Sequence, residues 1–195
     1  ESDVLAEQPT QIAERFAMVP DCPICVPLGE HLSCGVVGKR ARCVALGKNL
    51  IVQAAAHHSY CDLRIVVLCE QEETAQWEFC RWLPHCWDEG HTARLIANTP
   101  ETIRALLERL EPVFSARAAA GQNAGLGAAP RAKPWYLFVC AAPETVTQHA
   151  FMKFLTANRR ELGISVLYLF GMRYAFLVSV TRILLAGLLF GDLNS

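Results

Sequence analysis

Apolar residues alternate between two rhythms along this chain: short unbroken runs, and longer stretches that repeat at i, i+4. Leu32-Ser33-Cys34-Gly35-Val36-Val37 reads as a strand ending at glycines. Ala41 to Tyr60 reads as a helix, since Leu46, Leu50 and Ala54 succeed one another at i+4 with Ile51 and Ala55 beside them, giving one apolar face. Leu63 to Cys69 is nearly continuous and interrupted only by Arg64, the pattern of a strand buried on both faces. The polar stretch Glu70 to Thr74 opens a helix expected to reach Leu83. Ala93 to Ala97 reads as a third strand. Thr99-Pro100-Glu101 is a helix start: a hydroxyl cap, proline at the first helical position and an acid in the first turn. Ile103, Leu106, Leu107, Leu110 and Phe114 then form its apolar stripe.

The second half continues the alternation. Ala118 to Lys133 is rich in Ala and Gly and uncharged until Arg131, which predicts a flexible surface loop. Trp135 to Cys140 is a fourth buried strand, Glu144 to Asn158 a helix, and Gly163 to Leu169 a fifth strand. Val178 to Leu185 and Leu188 to Phe190, split by Ala186-Gly187, predict a closing hairpin. Strands alternating with helices imply an α/β fold, a mainly parallel sheet covered on both faces. The first twenty residues are polar and mixed, with a short helix expected over Gln11 to Met18, and Pro20, Pro23 and Pro27 then enforce extended backbone. Residues 1–28 are therefore expected to be an extension and residues 29–195 the folded domain.

Composition narrows the class. The 195 residues are 52% hydrophobic and 19% charged, with a formal net charge of −1. That length supports a core without a disulfide scaffold. Near-zero net charge, with Lys and Arg scattered, excludes a basic stripe for nucleic acid. Ile164 to Phe190 is apolar enough to suggest a membrane span, but Arg173 and Arg182 cut it into uncharged pieces of nine, eight and eight residues, and spanning needs roughly 20. Buried strands are expected there. The nine cysteines, several inside apolar runs, and the start Glu1-Ser2-Asp3 point to free thiols in a reducing, cytoplasmic setting.

Phosphate chemistry belongs at Gly35-Val36-Val37-Gly38-Lys39-Arg40-Ala41-Arg42, between a strand and a helix. A phosphate loop needs G-x-x-x-x-G-K-[ST], where the glycines let amides wrap the phosphates, Lys reaches the outer phosphates and the hydroxyl holds magnesium. Counting from Gly35, the last three positions are Arg40, Ala41 and Arg42; the offset frame starts at Ser33 and ends at Arg40. Neither is complete. The strand Trp135 to Cys140 is followed by Ala141-Ala142, where a hydrolase needs carboxylates for magnesium and water. Glu144 is read as helping to cap the next helix. Gly35, Gly38, Lys39 and Arg40 remain candidates for a vestigial anion site at a helix start.

The ordered strings Cys34-Gly35-Val36-Val37-Gly38, His58-Ser59-Tyr60-Cys61-Asp62-Leu63-Arg64-Ile65-Val66-Val67-Leu68, Phe79-Cys80-Arg81-Trp82-Leu83-Pro84-His85-Cys86-Trp87, Arg94-Leu95-Ile96-Ala97, Pro134 to Val139 and Glu161 to Val166 resemble the FtsK/SpoIIIE ATPase family. They are most similar to the membrane-proximal degenerate ATPase domain of the EssC/EccC proteins of type VII secretion. The resemblance covers Pro23 to Leu185, and the residues from Phe170 onward match poorly. It implies a RecA-like, three-layer α/β sandwich. It also implies a noncatalytic pseudo-ATPase domain that acts in assembly or regulation of the secretion motor, with a nucleotide-binding sensor as the alternative. Active modules of the family place Lys-Ser and Asp-Glu where this chain has Ala41-Arg42 and Ala141-Ala142. No catalytic residue, metal or obligatory cofactor is therefore expected, with ATP and magnesium the only ligands the loop would suit. The implied partners are adjacent ATPase modules of the same chain, other secretion proteins and further copies of this chain. The membrane would be reached only through the parent protein.

Three other groupings have bland readings beside sharp ones. Cys22-Pro23-Ile24-Cys25 has C-x-x-C spacing but no second pair to complete a zinc site, and Pro27 and Gly29 oppose a redox motif. His57-His58-Ser59-Tyr60-Cys61-Asp62 reads as a helix end where imidazoles meet free carbonyls rather than as a catalytic cluster. Trp77, Trp82, His85 and Trp87 read as packing at a sheet edge, or as an interface cluster.

Overall fold

The computed structural model describes residues 27–30, 32–123, 132–157, 159–171 and 182–185, with positions 9 and 12 singly. The expected helix over Gln11 to Met18 and the C-x-x-C motif lie outside these residues. The elements are β1 (Ser33–Gly38), α1 (Arg40–His57), β2 (Leu63–Leu68), a string of short helical turns, β3 (Ile96–Ala97), α3 (Pro100–Asn123), β4 (Trp135–Cys140), α4 (Pro143–Thr147), α5 (Met152–Leu155), β5 (Ile164–Gly171) and β6 (Arg182–Leu185). Within the string, Thr74–Trp77 is the one α-helical piece, α2.

The strand order is β3-β2-β4-β5-β1-β6, and every neighbouring pair is parallel. The fold is α/β and RecA-like. Alternation along each strand separates two cores. Val66, Leu68, Tyr136, Phe138, Val166 and Tyr168 face Leu107 and Phe114 of α3 and Phe151 beside α5. Ile65, Val67, Leu137, Val139, Leu167 and Leu169 face Cys43, Leu46 and Ile51 of α1. Helices thus cover both faces. The described parts of the apolar stretch from Ile164 to Phe190 are the strands β5 and β6, and no helix among the described residues is long and apolar enough to cross a membrane.

The start of α3 is built as its sequence requires. Thr99 N–H donates to Thr102 Oγ1 at 2.9 Å, and Thr102 N–H returns to Thr99 Oγ1 at 3.3 Å, satisfying groups that a helix end leaves open. The helix continues through Ala118 to Asn123. The expected loop therefore begins no earlier than residue 124, because the alanines there favour helix as strongly as they suggest a linker.

Two expected helices are broken. From Gln71 to Cys86 the chain forms 3₁₀ turns around the single α turn of α2. Trp77, Cys80 and Cys86 are buried and Leu83 is half-buried. A spacing of three is the period of a 3₁₀ helix, not of an α-helix. The helix expected from Glu144 is split because the His149 side chain accepts the Phe151 N–H at 3.1 Å, and the chain re-enters helix only at Met152. The third strand shrinks to Ile96–Ala97, preceded by an antiparallel bridge between Trp87 and Arg94. Arg182–Leu185, from the first arm of the expected hairpin, lies parallel to β1; its mate Leu188 to Phe190 is outside the described residues.

Candidate functional site

In an open parallel sheet, ligands bind outside the carboxyl ends of the strands, where the strand order reverses. Here β1 lies between β5 and β6, so the reversal falls beside it. A crevice of about 660 Å³ opens at that place. Gly38, Lys39 and Arg40 come from the β1–α1 junction, Glu70, Glu72 and Glu73 from the turn after β2, and Ala141 and Glu144 from the end of β4. Leu169 and Gly171 close it from β5.

The junction differs from a phosphate loop. Gly35 is inside β1, paired with Tyr168 on one side and Ile183 on the other. Gly38 is the last strand residue and Arg40 the first of α1, so Lys39 alone connects them. No run of free amides wraps a volume there. Of the four candidate residues, Gly38, Lys39 and Arg40 reach the crevice and Gly35 does not.

Arg40 lines the crevice with a side chain that is tied to its walls. Its Nε and Nη2 donate to Glu73 Oε1 and Oε2 at 2.6 and 2.5 Å. Nη1 donates to the Leu169 carbonyl at 2.8 Å, and Nη2 also to the Ala141 carbonyl at 2.5 Å. The guanidinium is committed to these oxygens. Lys39 is exposed, and its side chain makes no hydrogen bond or ion pair among the described residues.

The remaining electrostatics are acidic. Glu70, Glu72, Glu73 and Glu144 oppose Lys39 and Arg40 around one opening. Burial holds the Glu70 carboxyl above the ordinary carboxylate range, and the charge of Glu72 adds to it, while Arg40 acts in the opposite sense. Ala141 and Ala142 are buried where a hydrolytic site carries carboxylates, and α1 begins Arg40-Ala41-Arg42 without a hydroxyl. Glu144 stands exposed in the first turn of α4 and makes no capping bond. Among the described residues no three His, Cys, Asp or Glu side chains are grouped to hold a metal ion.

The other sequence candidates separate. Trp77 is fully buried and packs against α1 and β5. His85 is buried, and the half-buried Trp87 ring carries Arg94 Cζ at 3.6 Å. Trp82 alone stands out, 84% exposed. The His57-to-Asp62 string does not converge: His58 Nδ1 donates to the Ala54 carbonyl at 3.0 Å and Asp62 pairs with Lys133. The seven described cysteines are free thiols, six of them buried, and burial pushes the Cys69 thiol up to about 12. The residue that sequence reasoning missed is Glu73. Its only signal was an acid in the turn after β2, with no spacing that ties it to Arg40.

No family model matches the chain. It is 27% identical over 168 residues to the ESX secretion system protein EccC of Geobacillus thermodenitrificans. It is 27% identical over 165 residues to the ESX secretion system protein YukB of Bacillus subtilis, and 21% identical over 167 residues to the type VII secretion system protein EssC of Staphylococcus aureus. The matches cover 86%, 85% and 85% of this chain. The chain is therefore EccC/EssC-like over most of its length, matching a segment that makes up 11% of each of these secretion proteins.

Proposed function

We propose that residues 29–195 form a noncatalytic RecA-like module of a type VII secretion coupling protein, with residues 1–28 as its linker from the membrane side. The module acts in assembly or regulation of the motor, on the cytoplasmic side of a membrane-anchored parent whose other modules hydrolyse ATP. Its partners are those modules, other secretion components and further copies of the same chain. One observation supports the reading most. The Arg40 guanidinium, held by Glu73 and two carbonyls, occupies the strand–helix junction where phosphates would lie. Electrostatics point the same way, since an anionic nucleotide would enter among four glutamates. The test is calorimetry with ATP and ADP, with and without Mg²⁺. No heat at millimolar nucleotide is expected; micromolar binding would overturn the reading.

A second reading, a nucleotide sensor without hydrolysis, rests on Lys39, which is exposed beside the start of α1. Exchanging Lys39 and Arg40 together for Ala would then abolish nucleotide binding. Unchanged affinity in that variant rejects the sensor.

A further inference from the structure

At the amino end of β2, opposite the crevice, a buried cation stands without an ion-pair partner among the described residues. Arg64 is 5% exposed. The one hydrogen bond of its side chain among the described residues runs from Nη1 to the Pro84 carbonyl, at a long 3.5 Å. Nε is buried and has no hydrogen-bond partner among the described residues. Beside it, His85 is also 5% exposed. Its Nε2–H donates to the His58 carbonyl at 2.8 Å, and its Nδ1 is buried without a partner. The exposed Tyr60 ring lies against both, 5.9 Å from Arg64 Cζ and 6.4 Å from the His85 ring.

Buried charges in proteins are paired, because an ionised group removed from water loses far more than its packing returns. A guanidinium cannot escape by losing its proton. The Tyr60 face sits at the outer limit of a useful cation–π contact. Two other arginines of this fold show the usual solution. Arg117 is half-buried and gives each terminal nitrogen to a carbonyl, Leu162 and Pro134, both at 2.9 Å. Arg40 is saturated by Glu73 and two carbonyls. Arg64 has neither arrangement among the described residues, and its unpartnered Nε edge belongs to the planar fork that grips a carboxylate with two parallel bonds.

We propose that Arg64, with His85 beside it and Tyr60 as its cover, receives one carboxylate from an acidic side chain of a protein partner. The closeness of the site favours a single side-chain tip over a bulky ligand, since both polar groups are almost sealed. Trp82, three residues from His85 and 84% exposed, is the residue type that anchors protein interfaces. The proposal does not depend on the crevice, so nucleotide binding there would leave it intact.

The probe is sodium acetate, compared with sodium phosphate and chloride at fixed ionic strength, on ¹⁵N-labelled protein. Acetate is expected to shift the Arg64 Nε–H and His85 imidazole resonances saturably, and phosphate much less. Affinity read at His85 should fall about tenfold or more in Arg64→Met and also in Arg64→Lys, which keeps the charge but lacks the fork. The Tm of Arg64→Met without ligand should equal or exceed that of the parent, because an unpaired buried charge is gone. A saturable response to phosphate alone, no saturable response to either anion, an undiminished response in the variants, or a lower Tm would each overturn the proposal.

Discussion

Arg40 and Glu73 form a two-bonded ion pair, Nε to Oε1 at 2.6 Å and Nη2 to Oε2 at 2.5 Å, across 33 residues of sequence. The same guanidinium bonds the carbonyls of Leu169 and Ala141. One side chain thus bridges the start of α1, the turn after β2 and the ends of β4 and β5. A parallel sheet has no side-by-side hairpins to fix the spacing of these ends, so a bridge at this point does for the crevice what a tightly held ligand would do.

Removing Arg40 should therefore cost more than a surface ion pair. Arg40→Met leaves Glu73 and two carbonyls without their donor. With the two side chains 33% and 21% exposed, water recovers part of the loss, and about 1–2 kcal/mol is expected. Urea unfolding of Arg40→Met, Glu73→Gln and the double variant reads the pair directly. The double variant should lose about 1 kcal/mol less than the sum of the singles; strict additivity would show that the two groups act independently.

Glu70 carries a pH-dependent term of opposite sign to a paired carboxylate. Its native carboxyl binds a proton more tightly than the ordinary value of 4.5, first through burial and then through Glu72. Above that ordinary value the native state holds more protons than the unfolded chain, so stability falls as pH rises through the raised native value. Glu70→Gln removes the penalty. The variant should gain up to about 0.5 kcal/mol at neutral pH, a modest figure because the side chain is largely exposed and screened, and nothing below the ordinary carboxylate range. Thermal melts at the two pH values decide it, and an equal difference at both would refute the assignment.

How far this fold shows in its sequence depends on the range of the interactions. β4 lies where its run predicts, at Trp135–Cys140, and β2 ends one residue short; unbroken apolar runs buried on both faces leave little alternative. The start of α3 was legible because Thr99-Pro100-Glu101 is a local signal. The stretch from Glu70 to Leu83 reads as one helix but folds as short turns, because its order comes from Trp77, Cys80 and the following Cys86 docking on the sheet, a tertiary influence that outweighs propensity. The residue types beside the crevice, Arg40-Ala41-Arg42 and Ala141-Ala142, are read directly from the sequence. The link from Arg40 to Glu73 is not, since it exists only after β2 has been laid two strands from β5.

Gly47 marks a close approach of α1 to the sheet. A Cβ at this position would lie 2.8 Å from Leu169 Cδ1 and 3.2 Å from the Trp77 ring. Alanine would gain about 1 kcal/mol of helix propensity. Leu169 and Trp77 are both fully buried, so neither can move aside cheaply, and overpacking costs about 1–3 kcal/mol. Gly47→Ala should be net destabilising by about 1 kcal/mol in urea unfolding. A stabilised variant would mean that α1 lifts from the sheet without loss.

Gly163 has a conformational reason to be glycine and a steric one. Its φ is +67°, and a Cβ there would meet the Ala132 carbonyl at 2.8 Å and Arg117 Nη1 at 2.9 Å. The left-handed backbone alone costs an L-residue about 1–2 kcal/mol. Displacing Arg117 would also break its bonds to the Leu162 and Pro134 carbonyls, leaving a half-buried guanidinium short of acceptors. Gly163→Ala is therefore expected to lose about 2–3 kcal/mol. Gly163→Asn should lose no less, because its tolerance of left-handed backbone does not remove the clash at Cβ. Urea unfolding separates the two causes: if Asn recovers most of the loss seen with Ala, the backbone angle dominates, and the contact with Arg117 is not what fixes glycine at this position.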